Sequence, residues 1–223
     1  MEWLSYSGPL LQGAWVTIQL TVYSTILGAF FAFAFGLGKL SHNWLARGVS
    51  IAFIEIFRGT SLLVQLFWLY FALPLLGQAI GLDLRLPPVI AGTLALSLNI
   101  GAYGAEVVRG AIQAVPLSQH EAAKALDFTP RQVLWRIALP QAVPEMMPSF
   151  GNLAVQNLKD TALVSLISLG DLAFRAEQIR NFTQDSVTIY TLLLLMYFGM
   201  ALVLTAIMKL LERSVGRWRT RRT

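Results

Sequence analysis

Between Gly8 and Leu37 the chain carries no charged side chain. A helix needs roughly 20 apolar residues to cross the hydrocarbon core of a bilayer. A surface helix of a soluble protein would interrupt such a run with charges along one face. This stretch therefore fixes the solvent first: the chain is built for lipid. Thr17, Thr21, Ser24, Thr25 and Gly28 recur through it at helical spacing, a stripe of small and hydroxyl residues that lets a neighbouring helix approach closely. The whole chain agrees, with 56% hydrophobic and only 13% charged residues, where soluble domains carry roughly a quarter charged. One membrane domain over 1–223 is expected, without a second globular unit. The N-terminus has no basic region before its first apolar run, and is expected to lead into a true span.

Further apolar stretches follow, giving five expected spans at about 10–37, 50–74, 89–112, 143–168 and 187–211. The fourth is interrupted near 159–161 by Lys159, Asp160 and Thr161. A broken apolar segment with charges at its break points to a transport site. Asn99, Tyr103 and Glu106 fall on one face of the third span. Glu106 either faces a substrate cavity or pairs with Arg109 one turn on. Asp160, with Asn157 close by, either meets the ammonium of a solute or pairs with Lys159. Glu55 and Arg58 stand one turn apart and can neutralise each other near the membrane face.

Residues 116–140 are a polar, basic island between apolar regions. Ser118 to Leu126 reads as a short helix, capped by Ser118 with Glu121 as its capping-box partner. Ala122, Ala123 and Ala125 give it a small-residue surface. Thr129 and Pro130 start a second helix, expected to run to Ala138 and to stop at Pro140.

This island resembles the EAA loop of importer permeases in the ATP-binding-cassette superfamily. Glu121-Ala122-Ala123 and Ile137-Ala138-Leu139-Pro140 carry the likeness, while Asp127 stands where that motif has glycine. Asp is among the residues that most easily adopt the left-handed conformation such a glycine supplies. Three other stretches resemble the polar-amino-acid (histidine, glutamine, arginine) uptake subfamily. They are Glu55 to Leu66 (with Ser61 in place of a usual proline), Gly101-Ala102-Tyr103 with Glu106 and Arg109-Gly110, and Lys159 to Ser165. The segment Ser97 to Arg109 and the Arg58-Gly59-Thr60-Ser61 variant also look like ectoine and hydroxyectoine permeases.

The resemblance implies an all-α integral membrane fold, the type I importer permease, with five transmembrane helices and a cytoplasmic helix–turn–helix coupling loop. It implies two ABC ATPase subunits that hold Mg-ATP, a second permease chain (identical or a sister), and an external solute-binding protein. No cofactor is expected in this chain itself. Gln119, Glu121, Ala122, Ala123, Ala125, Leu126 and Asp127 would meet the ATPase. Asp160, Glu106, Asn99, Tyr103 and Asn157 would face substrate.

Charge placement gives an independent orientation. With the N-terminus outside, the inner flanks hold Lys39, Arg47, Arg58, Arg109, Lys124, Arg131, Arg136 and the tail from Lys209, including Arg213, Arg217, Arg219, Arg221 and Arg222. The outside keeps Arg85, Lys159, Arg175 and Arg180. Positive residues favour the cytoplasmic side, so the C-terminus and the 116–140 loop belong inside a bacterial inner membrane. The +5 net charge therefore reads as membrane flank, and no nucleic-acid partner is expected. The chain lacks a Walker-type phosphate loop, a nucleophile-and-base set and cysteine, so it is expected to be no enzyme by itself. The competing reading is an ion-gradient-driven secondary transporter or channel that uses Asp160 and Glu106.

Overall fold

The computed structural model describes residues 3–220, and it is helical almost throughout. Helix α1 spans Trp3–Lys39, α2 Trp44–Gly59 and α3 Leu62–Phe67. A π turn at Trp68–Ala72 joins α3 to α4, Leu73–Ala79. Then come α5 (Pro88–Gln113), α6 (Leu117–Ala125) and α7 (Pro130–Val133). A second π turn, Leu134–Ala138, leads into α8, Leu139–Asp160, which tightens to a 3₁₀ turn at Thr161–Ile167. Helices α9 (Leu172–Thr183) and α10 (Ser186–Thr220) complete the chain. Arg221 and Arg222 of the basic tail lie outside the described residues.

Helices α1 and α5 run parallel and form the centre. Glycines make this possible, because side chains at those positions would fill the space the partner helix occupies. A Cβ at Gly36 would come within 2.8 Å of the Ala105 carbonyl oxygen, and one at Gly104 within 2.7 Å of Ala32. Around this pair the 44–79 rod returns antiparallel, with Phe53 stacked on Phe35 and Gly38 against Ser50. Helix α8 also runs antiparallel, its Phe150 stacked on Phe33. The start of α10 packs with α9 on Leu10 and Ala14 of α1.

Among the described residues, four helices are long and apolar enough to cross a membrane, namely Ser7–Lys39, Leu62–Ala79, Pro88–Gln113 and Ser186–Val215. Helix α8 is not among them, although its 22 residues extend about 33 Å at 1.5 Å per residue. Its sequence is too polar for a hydropathy criterion to find it.

Three local expectations are corrected. Helix α6 begins after Pro116, and Ser118 makes no cap, because proline already fills the cap position. The helix begun at Pro130 does not stop at Pro140. The π turn carries the chain past it, since Leu139 N–H bonds the Leu134 carbonyl five residues back. Pro140 then sits in the first turn of α8, where its missing N–H costs nothing. Glu55 and Arg58 do not pair, and Arg58 lies at mid-depth rather than at a membrane face, as its neighbours below show.

The second start signal and the left-handed residue do appear. Thr129 and Gln132 form a reciprocal capping box at α7. Asp127 has φ 56°. Around it, Phe128 N–H bonds the Ala123 carbonyl at 3.1 Å and Asp127 N–H bonds the Lys124 carbonyl at 3.0 Å. That is a Schellman closure with aspartate in the usual glycine place.

Candidate functional site: a polar helix face and an exposed loop

The exposed side chains of α8 set it apart from every other membrane-length helix. They are Pro140, Gln141, Glu145, Pro148, Ser149, Asn152, Gln156 and Lys159. No large hydrophobic residue of α8 is exposed, whereas α10 shows Leu194, Phe198, Leu202 and Ile207 to the outside. From Gln141 onward these polar positions recur every three or four residues, so they form one stripe along the helix. Lipid does not tolerate such a stripe, but a water-filled pathway requires it. A groove of about 470 Å³ runs beside it, between α8 and α10, with Asn152, Gln156, Lys159, Thr205, Lys209 and Glu212 in its walls.

Asp160 ends α8 at the top of this stripe, and its carboxylate accepts a 2.9 Å hydrogen bond from Gln156 Nε2. Asn157, one residue round the helix from Gln156, is 3% exposed and turned toward α1. Its Nδ2 lies 2.7 Å from Ser24 Oγ, 3.0 Å from Thr25 Oγ1 and 3.5 Å from the Thr21 carbonyl. The hydroxyl stripe of α1 thus has a definite partner, the segment of α8 just before its end. Beyond the 3₁₀ turn, Asp171 caps α9 by accepting from Ala173 and Phe174 N–H. Full burial pushes its carboxyl up to about 6, against the pull of those backbone donors.

On α5 the three residues expected on one face all meet side chains or backbone of other helices of the bundle. Asn99 Nδ2 reaches Gln65 Oε1 and the Phe57 carbonyl, each at 3.3 Å. The Tyr103 ring is 41% exposed and carries the Arg58 guanidinium 5.4 Å from its centroid. Glu106 is clasped by two cations. One carboxylate oxygen takes Lys39 Nζ from the end of α1, and the other takes Arg109 at 2.8 Å. Arg109 also bonds Gln113, the last residue of α5. This clasp ties α1 to α5 immediately before the chain turns into α6. Sequence reading found Glu106–Arg109 but had no means of finding Lys39, 67 residues away.

The segment between α2 and α3 is a second interruption, one that sequence reading passed over. Thr60 and Ser61 are both extended there. Side chains meet several of the carbonyls that the break leaves open. Gln65 Nε2 donates to the Phe57 carbonyl at 2.8 Å and to the Thr60 carbonyl at 3.2 Å, and Thr60 Oγ1 donates to the Ile56 carbonyl. Since Asn99, near the midpoint of α5, holds Gln65, the break lies at mid-depth of the bundle.

The loop residues divide into a foot and a face. Ala123 of α6 is buried. Gln119, Glu121, Ala122, Ala125, Leu126 and Asp127 are all exposed, and Leu126 alone leaves 69% of its surface open. The nine-residue helix thus buries one alanine and leaves a leucine uncovered just past its end, an exposed apolar residue beside a small-residue surface.

Comparison with known proteins agrees with this architecture. The chain is 68% identical over 222 residues to a probable amino-acid ABC transporter permease, y4tF of Sinorhizobium fredii, covering 100% of this chain and 93% of that one. It is 31% identical to the glutamine transport system permease GlnP of Escherichia coli, over 92% of each chain. Among solved structures, an amino-acid ABC transporter crystallised with histidines superposes with a TM-score of 0.85 at 32% identity, covering 95% of this chain and 96% of that one. The MetNI methionine transporter, at 20% identity and a TM-score of 0.74, shares the fold. The match to the family described as "Binding-protein-dependent transport system inner membrane component" spans residues 24–217, and this chain belongs to that family.

Proposed function

We propose that this chain is the membrane-spanning subunit of an ATP-driven importer for amino acids, and that α8 lines its pathway. The observation that carries this reading is the polar stripe of α8, exposed along the whole length of a helix otherwise packed in an apolar bundle. Two permease chains facing each other across such stripes would enclose a wet route. Separate ATPase subunits holding Mg-ATP would grip α6, and an external binding protein would deliver the solute. Amino-acid cargo is supported by the names of the relatives, which favour it over ectoine. The reading is tested by reconstituting the chain with its ATPase subunits and binding protein in liposomes and following labelled amino acids. Uptake that requires ATP supports it, while uptake by this chain alone on an ion gradient returns the question to a secondary transporter.

Within that pathway Asp160 is the proposed contact for the solute ammonium, with Asn99 and Tyr103 further along. Both oxygens of Glu106 are engaged by cations, which suits a structural clasp better than solute. Asn157 anchors α8 to α1 and so holds Asp160 in place. Asp160→Asn removes the charge and keeps the shape and the Gln156 contact. A charged hydrogen bond contributes roughly 1.5–3 kcal/mol, so KM for transport should rise about 10–100-fold with normal complex assembly. Unchanged transport kinetics would remove Asp160 from the pathway.

The chain is oriented with its N-terminus outside and α6 in the cytoplasm. Having no native cysteine, it suits single-cysteine labelling. An impermeant maleimide should reach Phe182→Cys in intact spheroplasts and Leu126→Cys only after permeabilisation, both sites being well exposed. The reverse pattern would invert the orientation.

A further inference from the structure

The break between α2 and α3 leaves one strong cation unmatched. Arg58 stands two residues before Thr60, is exposed, and makes no ion pair among the described residues. Its guanidinium lies over the face of Tyr103. Lys39 and Arg109, by contrast, share Glu106 between them. The surrounding polar groups are also occupied: Gln65, Asn99 and Thr60 spend their bonds on the open carbonyls of the break. An arginine at mid-depth, facing lipid, is strongly disfavoured, and such residues turn to a cavity and an anion. Stacking on tyrosine fixes the guanidinium plane while leaving its N–H edge open, the edge that takes a carboxylate in bidentate fashion.

We infer that Arg58, held by Tyr103 at the break of the second span, is the recognition site for the carboxylate of the transported solute. This inference rests on the amino-acid reading above. It completes it, because Asp160 offers a partner only for the cationic nitrogen.

The test uses the full complex of permease and ATPase subunits in nanodiscs, without binding protein, so that only the membrane site is read. Equilibrium binding of labelled glutamine, arginine and histidine is compared with binding of their α-carboxamides, which lack the carboxylate charge. The wild type is expected to prefer the carboxylates. Arg58→Gln should weaken carboxylate binding about 10–100-fold and leave carboxamide binding unchanged, which also shows that the variant is folded. Arg58→Lys, with a charge but no planar fork, should fall between. Equal loss on both ligand forms, or undiminished preference in Arg58→Gln, overturns the assignment. So does recovery of carboxylate binding by a second change, Glu55→Gln, since Arg58 would then serve to balance Glu55, of its own or a second copy. A wild type that ignores the carboxylate altogether defeats the amino-acid reading itself, a result distinct from any of these.

Discussion

Glu121→Arg is expected to reduce ATP-driven uptake to background while leaving membrane insertion and the fold intact. The side chain is exposed on α6, so nothing inside the bundle depends on it. The short helix keeps its foot at Ala123 and its closure at Asp127, both independent of position 121. What changes is the face offered to the ATPase, where a carboxylate becomes a bulky cation. A reversed charge in a docked interface costs several kcal/mol, enough to separate the partners at working concentrations. Transport needs this contact in a specific way. Nucleotide can shift the permease between states only if the ATPase binds the loop differently in each. The measurements are ATP-dependent uptake in proteoliposomes and retention of the ATPase on the tagged permease. Normal uptake by the variant would dissociate α6 from coupling.

The second large effect concerns the centre of the bundle. Gly36→Leu should abolish the close pairing of α1 and α5. The new Cβ would lie 2.8 Å from the Ala105 carbonyl oxygen and 2.9 Å from Val108 Cβ. The first obstacle is backbone, which cannot rotate aside as the end of a side chain can. The helices must separate, and in lipid no hydrophobic force opposes their separation. Overpacking of this kind costs about 3 kcal/mol, which corresponds to a fall of about 6–12 °C in the unfolding midpoint for a chain of this size. Gly48→Leu is the control, because nothing lies within 4 Å of a Cβ there. Matching midpoints for the two variants would contradict the packing account.

What the sequence revealed, and what it hid, divides along a physical line. Charge-free runs announce α1, α5 and α10, because length and hydropathy are local properties. Part of the loop was legible for the same reason: Thr129 and Asp127 act on backbone within a few residues of themselves. A span at 143–168 was expected, but not that α8 begins at Leu139 and runs on from the loop helix, since Pro140, Pro144 and Pro148 read as breakers and its polar stripe lowers its hydropathy. Only the bundle around it makes the helix hold. The Lys39–Glu106 contact and the Gln65–Asn99 contact join residues far apart in the chain, so no spacing rule exposes them. Asn157 illustrates the limit well: its position at the end of α8 was evident, but the direction of its side chain depends on Ser24 and Thr25 of another helix.

The π turn at Leu134–Ala138 has a geometric consequence for the whole machine. It accommodates one residue more than an α-helix would at the same rise. Each residue of an α-helix turns the chain by about 100°. Were these same residues regular α, every azimuth from Leu139 onward would shift by about that angle relative to α7. Gln141, Asn152 and Gln156 would then sweep away from the position they now occupy, and Ala142, Met146 and Ala154 would leave the core. Under the proposed function, the wide turn therefore sets the phase between the loop that the ATPase would hold and the stripe that the solute would pass, with every residue from Pro130 to Asp160 in helical conformation.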